Sequence, residues 1–524
     1  MGRPSIPPHQ KLALALQALH GITDGGRMVV RGRELKAPAR QLLQKNGFLS
    51  EILKGWYFVN NPGAPTGDTT LFYANFWEFL GYYLGDRFGE GYCLNPENSL
   101  LLHVQHNVVP KQVIVMIREN QTSFPDLAFG HSLTIYPGKT SQPADGDVVT
   151  LRGIRCMSLP LTLAKLAPTT YRECQNNVEI ALGMLRQPGE IVAKYAVNAL
   201  GVGRIIGGLR AIGRTELADG IEQSLIAQDK PLQDTANPFS ALPVHIFGQR
   251  PQSPVHSRVA TLWAQHAPYI RSMAPEPLPA TMLPEAYATQ VEAVKVNDAY
   301  HSLSIERHQV TPELIRRVAE GRWQPETNAD DQQQRNAMAA RGYLNAFTDV
   351  RDDAINAFAH HQDPDFNSGS VFRTRHHTWF NRLFSPAIDA GLLTAGDLAG
   401  YRNNMVYLQG SMHAPPHYDH VPDGMEALTD CLMNEPCAFT RAVLGHWLFG
   451  YVHPYMDGNG RMARFTMNLM LASGRYPWTI IRVEDRDSYM AALESAGVEN
   501  DIRPFAKFIE ENVLRSGTSI LSQG

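Results

Sequence analysis

The chain has 524 residues, 44% of them hydrophobic and 19% charged, with a formal net charge of −4. That is a globular composition; it excludes a disordered polyelectrolyte and gives the chain no overall attraction to nucleic acid. A length of this order predicts about two to four domains with cores of their own.

No stretch is apolar for long enough to span a bilayer, and the N-terminus lacks the apolar core of a signal peptide. The five cysteines (Cys93, Cys156, Cys174, Cys431 and Cys437) contain no Cys-x-x-Cys pair, which argues against a cysteine-based zinc or redox site. The expectation is a cytoplasmic protein with no membrane partner.

In chain order, Leu12, Leu16 and Leu19 stand at helical spacing and predict a first helix stopping near Gly21. Shorter helices are expected over 31–35 and 38–46, the latter ended by Asn46-Gly47 as a left-handed cap. Residues 48–59 predict two short strands hinged at Lys54-Gly55. Helices followed by a hairpin predict a winged helix over 1–60. Nine Lys/Arg against three Asp/Glu in this segment suit a DNA-facing module, or more plainly a basic interaction face.

Residues 61–235 mix strand-like runs, such as 112–117 and 147–151, with later helical segments, and predict an α+β region. Gly201, Gly203, Gly207, Gly208 and Gly213 suggest a phosphate loop at first sight. No strand leads into them, so tight helix packing is the preferred reading. The prolines between 236 and 284, among them Pro238, Pro251, Pro268 and Pro279, predict a connecting segment. From 285 to 524 the pattern is helical, with a strand-like exception near 401–416.

The chemistry concentrates in His453-Pro454-Tyr455-Met456-Asp457-Gly458-Asn459-Gly460-Arg461-Met462-Ala463-Arg464. Pro454 stops an apolar helix and leaves His453 at its exit. Asp457 to Gly460 permit a tight turn, and the helix that follows offers unsatisfied amides and a positive dipole end. Arg461 and Arg464, three residues apart, share a helix face. Two cations and a helix start make an anion cradle suited to phosphoryl or nucleotidyl transfer. Asp457 offers the hard oxygen that Mg²⁺ takes beside phosphates, and His453 the imidazole of a general base. Taken singly, each residue would have only a local duty; the ordered set in one loop carries the inference.

This segment resembles the signature of the Fic family, His-x-Phe-x-Asp/Glu-Gly-Asn-Gly-Arg-x-x-Arg, with Tyr455 in place of Phe. The resemblance implies that His453 is the base and Asp457 binds Mg²⁺. It implies further that Gly458, Asn459, Gly460 and Arg461 hold the phosphates of ATP, and that Arg464 engages the terminal one. Tyr455 can anchor the loop in the core, but its hydroxyl then needs a partner. Residues 401–416 resemble the Fic flap, a β-hairpin edge including Val406, Leu408, Gly410 and Ser411 that would take an extended target segment by strand addition. His413, His417 and His420 overlap it and are read as scattered histidines, not a zinc site.

Ser302-Leu303-Ser304-Ile305-Glu306 resembles the Ser/Thr-x-x-x-Glu inhibitory motif of that family, in which the glutamate, here Glu306, pairs with the second arginine, here Arg464. The usual Gly or Asn after it is Arg307. Residues 1–235 resemble antitoxin-like transcriptional regulators of the abortive-infection class, through the Gly-Phe-Leu to Gly-Trp-Tyr turn and the segment Leu209 to Arg214.

The expectation is therefore a multidomain chain. It comprises a winged helix (1–60), an α+β region (61–235), a connecting segment (236–284) and an all-α Fic domain with a β-hairpin flap (285–524). The implied activity is Mg²⁺-dependent transfer of AMP from ATP to a Tyr, Thr or Ser hydroxyl of a protein target or of the chain itself, restrained by Glu306. Rival readings are transfer of another nucleotide or phosphate-containing group, or a DNA-binding regulator whose Fic domain senses nucleotide. Nucleotide preference, a homo-oligomer, and restraint within or between chains are left open by the sequence.

Overall fold

The computed structural model describes residues 7–24, 26–60, 62, 70–138, 142–321, 331–406 and 408–521. The chain divides into two compact units, 1–254 with 407–414, and 255–406 with 415–524.

The first unit opens with α1 (Pro8–Thr23), β1 (Val29–Arg31), α2 (Ala37–Lys45), β2 (Leu49–Leu53) and β3 (Trp56–Val59). The strands form an antiparallel sheet in the order β1-β3-β2, and Gly55 takes φ +83° at the hairpin turn, a left-handed conformation that glycine adopts without steric cost. The helix expected over 31–35 is instead the end of β1 and a single 3-10 turn, Gly32–Glu34. Val29 and Val30 are fully buried and pair with Phe58 and Tyr57, a setting that suits β-branched side chains as a strand.

The first sixty residues do not stand alone. Trp56 and Phe58 pack edge-on against Phe72, Phe79 and Tyr83 of α3 (Thr70–Phe88), so the expected boundary at 60 runs through a shared aromatic core. The basic excess is also partly compensated: Arg27 pairs with Glu34, and Arg31 and Arg33 both pair with Asp86.

Beyond α3, the unit has β4 (Tyr92–Leu94), α4 (Pro96–His103), β5 (Gln112–Ile117) and β6 (Ser132–Pro137). The β7 (Val148–Leu151) and β8 (Ile154–Met157) hairpin comes next. Strands β5 and β6 run parallel, with β4 antiparallel on the other side of β5. Six helices follow: α5 (Leu159–Lys165), α6 (Pro168–Glu173), α7 (Gln175–Gly183), α8 (Pro188–Val192), α9 (Ala199–Ala211) and α10 (Thr215–Ile226).

Gly201, Gly203, Gly207 and Gly208 of the glycine-rich run lie inside α9, and Gly213 follows its end at φ +87°. A Cβ on Gly201, Gly203 or Gly207 would lie 2.0, 1.8 or 2.0 Å from the carbonyl oxygens of Ala164, Gln233 and Ala236. The glycines admit backbone against the helix, as the packing reading expected.

The second unit begins with α11 (Pro254–Ser272), so the segment expected to connect up to 284 is a connection only as far as Pro254. Val259 and Ile270 of α11 are fully buried in this unit's core, and that burial outweighs the proline within the helix, Pro268. Next come α12 (Pro284–Ile305), α13 (Pro312–Ala319), α14 (Asp331–Ala359), α15 (Ser368–Asp389), α16 (Val421–Asn434), α17 (Ala438–Val452), α18 (Asn459–Ala472), α19 (Arg486–Val498) and α20 (Arg503–Leu521).

No strand occurs among the described residues of this unit. Helices α17 and α18 pack against each other at its centre. Nearly every residue of both is buried, as expected of helices surrounded by others on all sides. Among the described residues no helix is long and apolar enough to cross a membrane.

The flap is a correction. Among the described residues of 401–416 there are bends and turns but no strand. Gly410 takes φ +78°, the Ser411 N–H donates to Leu408 O at 3.1 Å, and Pro415-Pro416 removes two amide donors a ladder would need. Within the first unit, Ala414 N–H donates to Asn107 O at 2.8 Å, His413 Nδ1 lies 2.9 Å from Asn107 Nδ2, and Met412 packs on the aromatic core.

Candidate active site

Helix α17 ends where His453 turns to φ +51°, ψ +63°, a left-handed conformation that costs a non-glycine residue roughly 1–2 kcal/mol. Pro454 makes further helix impossible, and the chain enters the loop that leads to α18. Asn459 closes this loop on itself: its Oδ1 accepts from Tyr455 N–H at 2.9 Å and its Nδ2 donates to Tyr455 O at 2.8 Å. The Asn459 side chain therefore shapes the loop, and the phosphate contact implied for this position is left to the backbone. Gly458 takes φ +84°, and the Met462 N–H is the one that returns to Gly458 O, so the amides of 459–461 precede the helix ladder as at any helix start.

Tyr455 finds the partner its hydroxyl needs. The ring is buried and stacks on Phe380, centroids 3.7 Å apart and planes 5° from parallel, while the hydroxyl lies 3.0 Å from His377 Nδ1.

His453 Nδ1 lies 3.3 Å from Gly450 O. A proton on Nδ1 makes that contact a hydrogen bond and leaves the Nε2 lone pair to accept a proton. Burial lowers the His453 pKa to about 4, helped by Arg402 and opposed by the Gly450 carbonyl, Glu306 and Asp457. Asp457 is 71% exposed; its Oδ1 accepts from the Gly458 N–H at 2.6 Å and stands 3.2 Å from Arg461 Nη2.

The two arginines point inward. Arg461 is 2% exposed and lies over the Phe384 ring at 5.3 Å. Arg464 donates from Nε to Ser302 Oγ at 2.8 Å, and from Nη2 to Ser302 O at 3.0 Å and Glu306 Oε1 at 2.8 Å. Arg461 Nε and Arg464 Nη1 are buried without a hydrogen-bond partner among the described residues. Buried donors of this kind are costly unless an acceptor arrives.

The Glu306 carboxylate already fills part of that space: a Cβ on Gly460 would stand 2.1 Å from its Oε1. Burial raises the Glu306 carboxyl, but Arg464 and Arg461 outweigh it and hold the group below its ordinary value. The pair is made within one chain.

Glu306 caps α12, and Arg307 follows at φ +65°. His308 N–H donates to Leu303 O and Arg307 N–H to Ser304 O, both at 3.0 Å, which is the Schellman pattern with an arginine in the left-handed place usually taken by glycine.

His453, Asp457, Gly458, Asn459, Gly460, Arg461, Arg464, Ser302 and Glu306 thus meet in the second unit. Of the expected flap residues, Val406 belongs to that unit and Leu408, Gly410 and Ser411 to the first. His417 and His420 each have an aspartate at 3.2 Å, Asp419 and Asp423. Sequence reasoning assigned no role to His377, Arg402 or Asp298. Asp298 lies two turns before Glu306 on α12, accepts from Tyr343 OH at 2.7 Å, and is pushed up to about 6 by burial. The i, i+4, i+8 spacing of Asp298, Ser302 and Glu306 was the available signal.

The donor set suits an anion bearing several oxygens, and residues 370–471 match the model of the Fic/DOC family. The chain carries a Fic domain. Over 115 residues it is 38% identical to the protein adenylyltransferase Fic of Nematostella vectensis, covering 21% of this chain and 26% of that one. It is 36% identical over 115 residues to the protein of the same name from Drosophila willistoni, covering 21% and 22%. The match thus spans about a quarter of the length of these curated relatives.

Among solved structures, Fic-1 (aa134–508) of C. elegans aligns at 16% identity and a TM-score of 0.36, over 66% of this chain and 88% of that one. A Fic domain containing signaling protein of Bacteroides thetaiotaomicron aligns at 18% and 0.36, over 51% and 95%. Ser302 and Glu306 lie outside the matched residues 370–471.

Proposed function

We propose that this chain is a protein adenylyltransferase restrained by its own Glu306. The observation that carries this reading is that Arg461 Nε and Arg464 Nη1 are buried without a hydrogen-bond partner among the described residues, beside a glycine whose side-chain space is taken by a carboxylate. A carboxylate in that place is a stand-in for a phosphate, and its ion pair uses an arginine donor that phosphate would otherwise meet.

In the reaction, a Tyr, Thr or Ser hydroxyl oxygen of a target protein, or of the chain itself, bonds to the α-phosphorus of ATP. The bond from that phosphorus to the bridging oxygen breaks, pyrophosphate leaves with the electron pair, and the hydroxyl proton passes to His453 Nε2. The exposed Asp457 carboxylate fits a divalent cation and would hold Mg²⁺, which when bound neutralises charge on the phosphates. Gly458, Gly460 and the amides opening α18 would cradle the phosphates, with Arg461 and Arg464 alongside. Val406, Leu408, Gly410 and Ser411 belong to the segment proposed to take the target chain. UMP or another phosphate-containing group is the nearest alternative donor product.

The test is label transfer from α-labelled ATP with Mg²⁺, using wild type, Glu306→Gly, and Glu306→Gly with His453→Ala, and offering the protein itself and cell lysate as acceptors. Labelling that rises in the first variant and vanishes in the second supports the reading. Label from UTP in place of ATP would redirect it to another nucleotide, and no label from any donor would overturn it.

The first unit supports a second component, duplex DNA binding by a winged helix over 1–60. The sheet order β1-β3-β2 with its hairpin, and the exposed Lys36, Gln41 and Lys45 on and beside α2, favour it. The pairing of Arg27, Arg31 and Arg33 reduces the charge on offer. Salt-dependent binding to duplex that survives His453→Ala and weakens in Lys36→Ala/Lys45→Ala is the expected result; duplex binding unchanged by that double variant would remove α2 from the interface.

A further inference from the structure

Arg402 stands 51 residues before His453 in the chain and is 5% exposed. Its guanidinium donates from Nε to His453 O at 2.8 Å, from Nη1 to Asn404 O at 2.9 Å and from Nη2 to Pro416 O at 2.5 Å. Its own N–H donates to Pro454 O at 2.8 Å. Every one of these acceptors is a backbone carbonyl.

Two of them are consecutive, His453 and Pro454, the dipeptide at which α17 turns left-handed. The other two stand on either side of the segment 405–415. A planar fork with donors in three directions can meet three separate carbonyls at once; an ammonium on a flexible stem cannot hold the same geometry. Burial lowers the Arg402 pKa to about 10, so the group is still charged at neutral pH, and its charge-assisted bonds are stronger than neutral ones.

We propose that Arg402 is a positioning residue for the transfer reaction, fixing the His453 peptide in its left-handed conformation and tying that peptide to both ends of the target-binding segment. The chain at His453 would otherwise relax toward ordinary backbone angles, and the imidazole would swing away from the hydroxyl it must deprotonate. A misplacement of about 1 Å at a reacting group can cost roughly a hundredfold in rate.

The proposal rests on the adenylyltransferase reading for its kinetic arm and is independent of it in the other. For the kinetic arm, Arg402→Lys and Arg402→Gln are made in the full-length Glu306→Gly chain, and transfer from α-labelled ATP is measured. Both are expected to lower kcat by roughly tenfold to a hundredfold, with KM for ATP changed less than about twofold, because the phosphate cradle is untouched.

For the second arm, the otherwise native chain carries ¹³C-labelled histidine, and the His453 ring signal, assigned by its loss in His453→Asn, is followed from acid to neutral pH. The groups facing His453 are the Arg402 cation, the Glu306 and Asp457 carboxylates and the Gly450 carbonyl. Arg402→Lys is expected to move the signal while leaving its titration low, since the charge remains. Arg402→Gln is expected to move the signal and raise the titration.

Thermal midpoints check that each variant is folded; where Arg402→Gln is too unstable, Arg402→Lys carries both readouts. A folded Arg402→Lys with parental kcat and an unmoved His453 signal overturns the proposal. Should the Glu306→Gly parent transfer no label, the transferase reading fails, and the His453 signal alone decides the role of Arg402: moved, it stands as a clamp on that peptide; unmoved, it does not.

Discussion

Glu306 and Arg464, 158 residues apart in sequence, meet at 2.8 Å, with the carboxylate lying in the space that the missing side chain of Gly460 leaves open. Removing Glu306 strips a buried arginine of its counter-ion. Glu306→Gly is therefore expected to lower stability by about 1–3 kcal/mol while raising AMP transfer. Mg²⁺-ATP should then raise the melting temperature of this variant more than that of wild type, since phosphate and Glu306 no longer compete. Thermal shift with and without nucleotide checks this; equal shifts in the two proteins would mean that the carboxylate does not occupy the nucleotide site.

Ser302 holds the same arginine from the other side, through Oγ and its carbonyl. Ser302→Ala leaves Arg464 Nε without its acceptor and should cost about 1–3 kcal/mol. Self-labelling should rise above wild type but stay below Glu306→Gly, because the ion pair remains. Labelling equal to wild type would show that the brake does not depend on this contact.

Arg307 occupies a left-handed position, φ +65°, directly after Glu306. A glycine there removes a steric cost of about 1 kcal/mol and steadies the end of α12 that carries Glu306, the proposed restraint. Arg307→Gly is expected to raise the melting temperature and to lower basal transfer by up to about fivefold, the rate equivalent of that energy. Higher basal transfer in a more stable variant would refute this account of the α12 cap.

Tyr455 separates packing from hydrogen bonding. Tyr455→Phe keeps the stack on Phe380 and loses the bond to His377, so it should cost about 1 kcal/mol and keep its transfer activity. Tyr455→Ala removes a buried ring and should cost about 3–5 kcal/mol, with activity lost as the loop collapses. Urea titration and label transfer distinguish the two.

Acid acts on the site through His453. With its pKa held at about 4, the ring is neutral and able to accept a proton throughout the neutral range. kcat/KM in the Glu306→Gly chain should stay level from pH 8 down to about 5.5, and fall as the ring protonates below that. An inflection near the ordinary histidine value of about 6.5 would contradict a base whose pKa is lowered to about 4. Stability moves in the same direction: burial holds His446 at about 3 and His376 at about 4. Below about pH 6.5 the unfolded chain takes up protons that the folded chain refuses, and the melting temperature should fall from there toward pH 4.

The sequence by itself determined the motif loop. Glycines, a proline after a histidine, and two arginines three residues apart act through local geometry, so His453, Asp457, Gly458, Gly460, Arg461 and Arg464 were legible from spacing alone. Glu306 and its pairing with Arg464 were legible through the resemblance of the motif, and the fold brings the two to 2.8 Å. The first helix, the helix over 38–46 and the hairpin of residues 48–59 were also local; β1 (Val29–Arg31) was not, and the helix expected over 31–35 is the end of that strand and a single 3-10 turn.

Other features depend on neighbours distant in the chain, and only the tertiary structure decided them. Pro254–Ser272 is a core helix despite its prolines, because its apolar face is buried. The described residues of 401–416 form bends and turns and no strand; within the first unit, His413 and Ala414 bond to Asn107 where a strand partner was expected. The fastening of His453 by Arg402 and of Tyr455 by His377 joins residues 51 and 78 positions apart, and no periodicity within one segment encodes a hydrogen bond of that span.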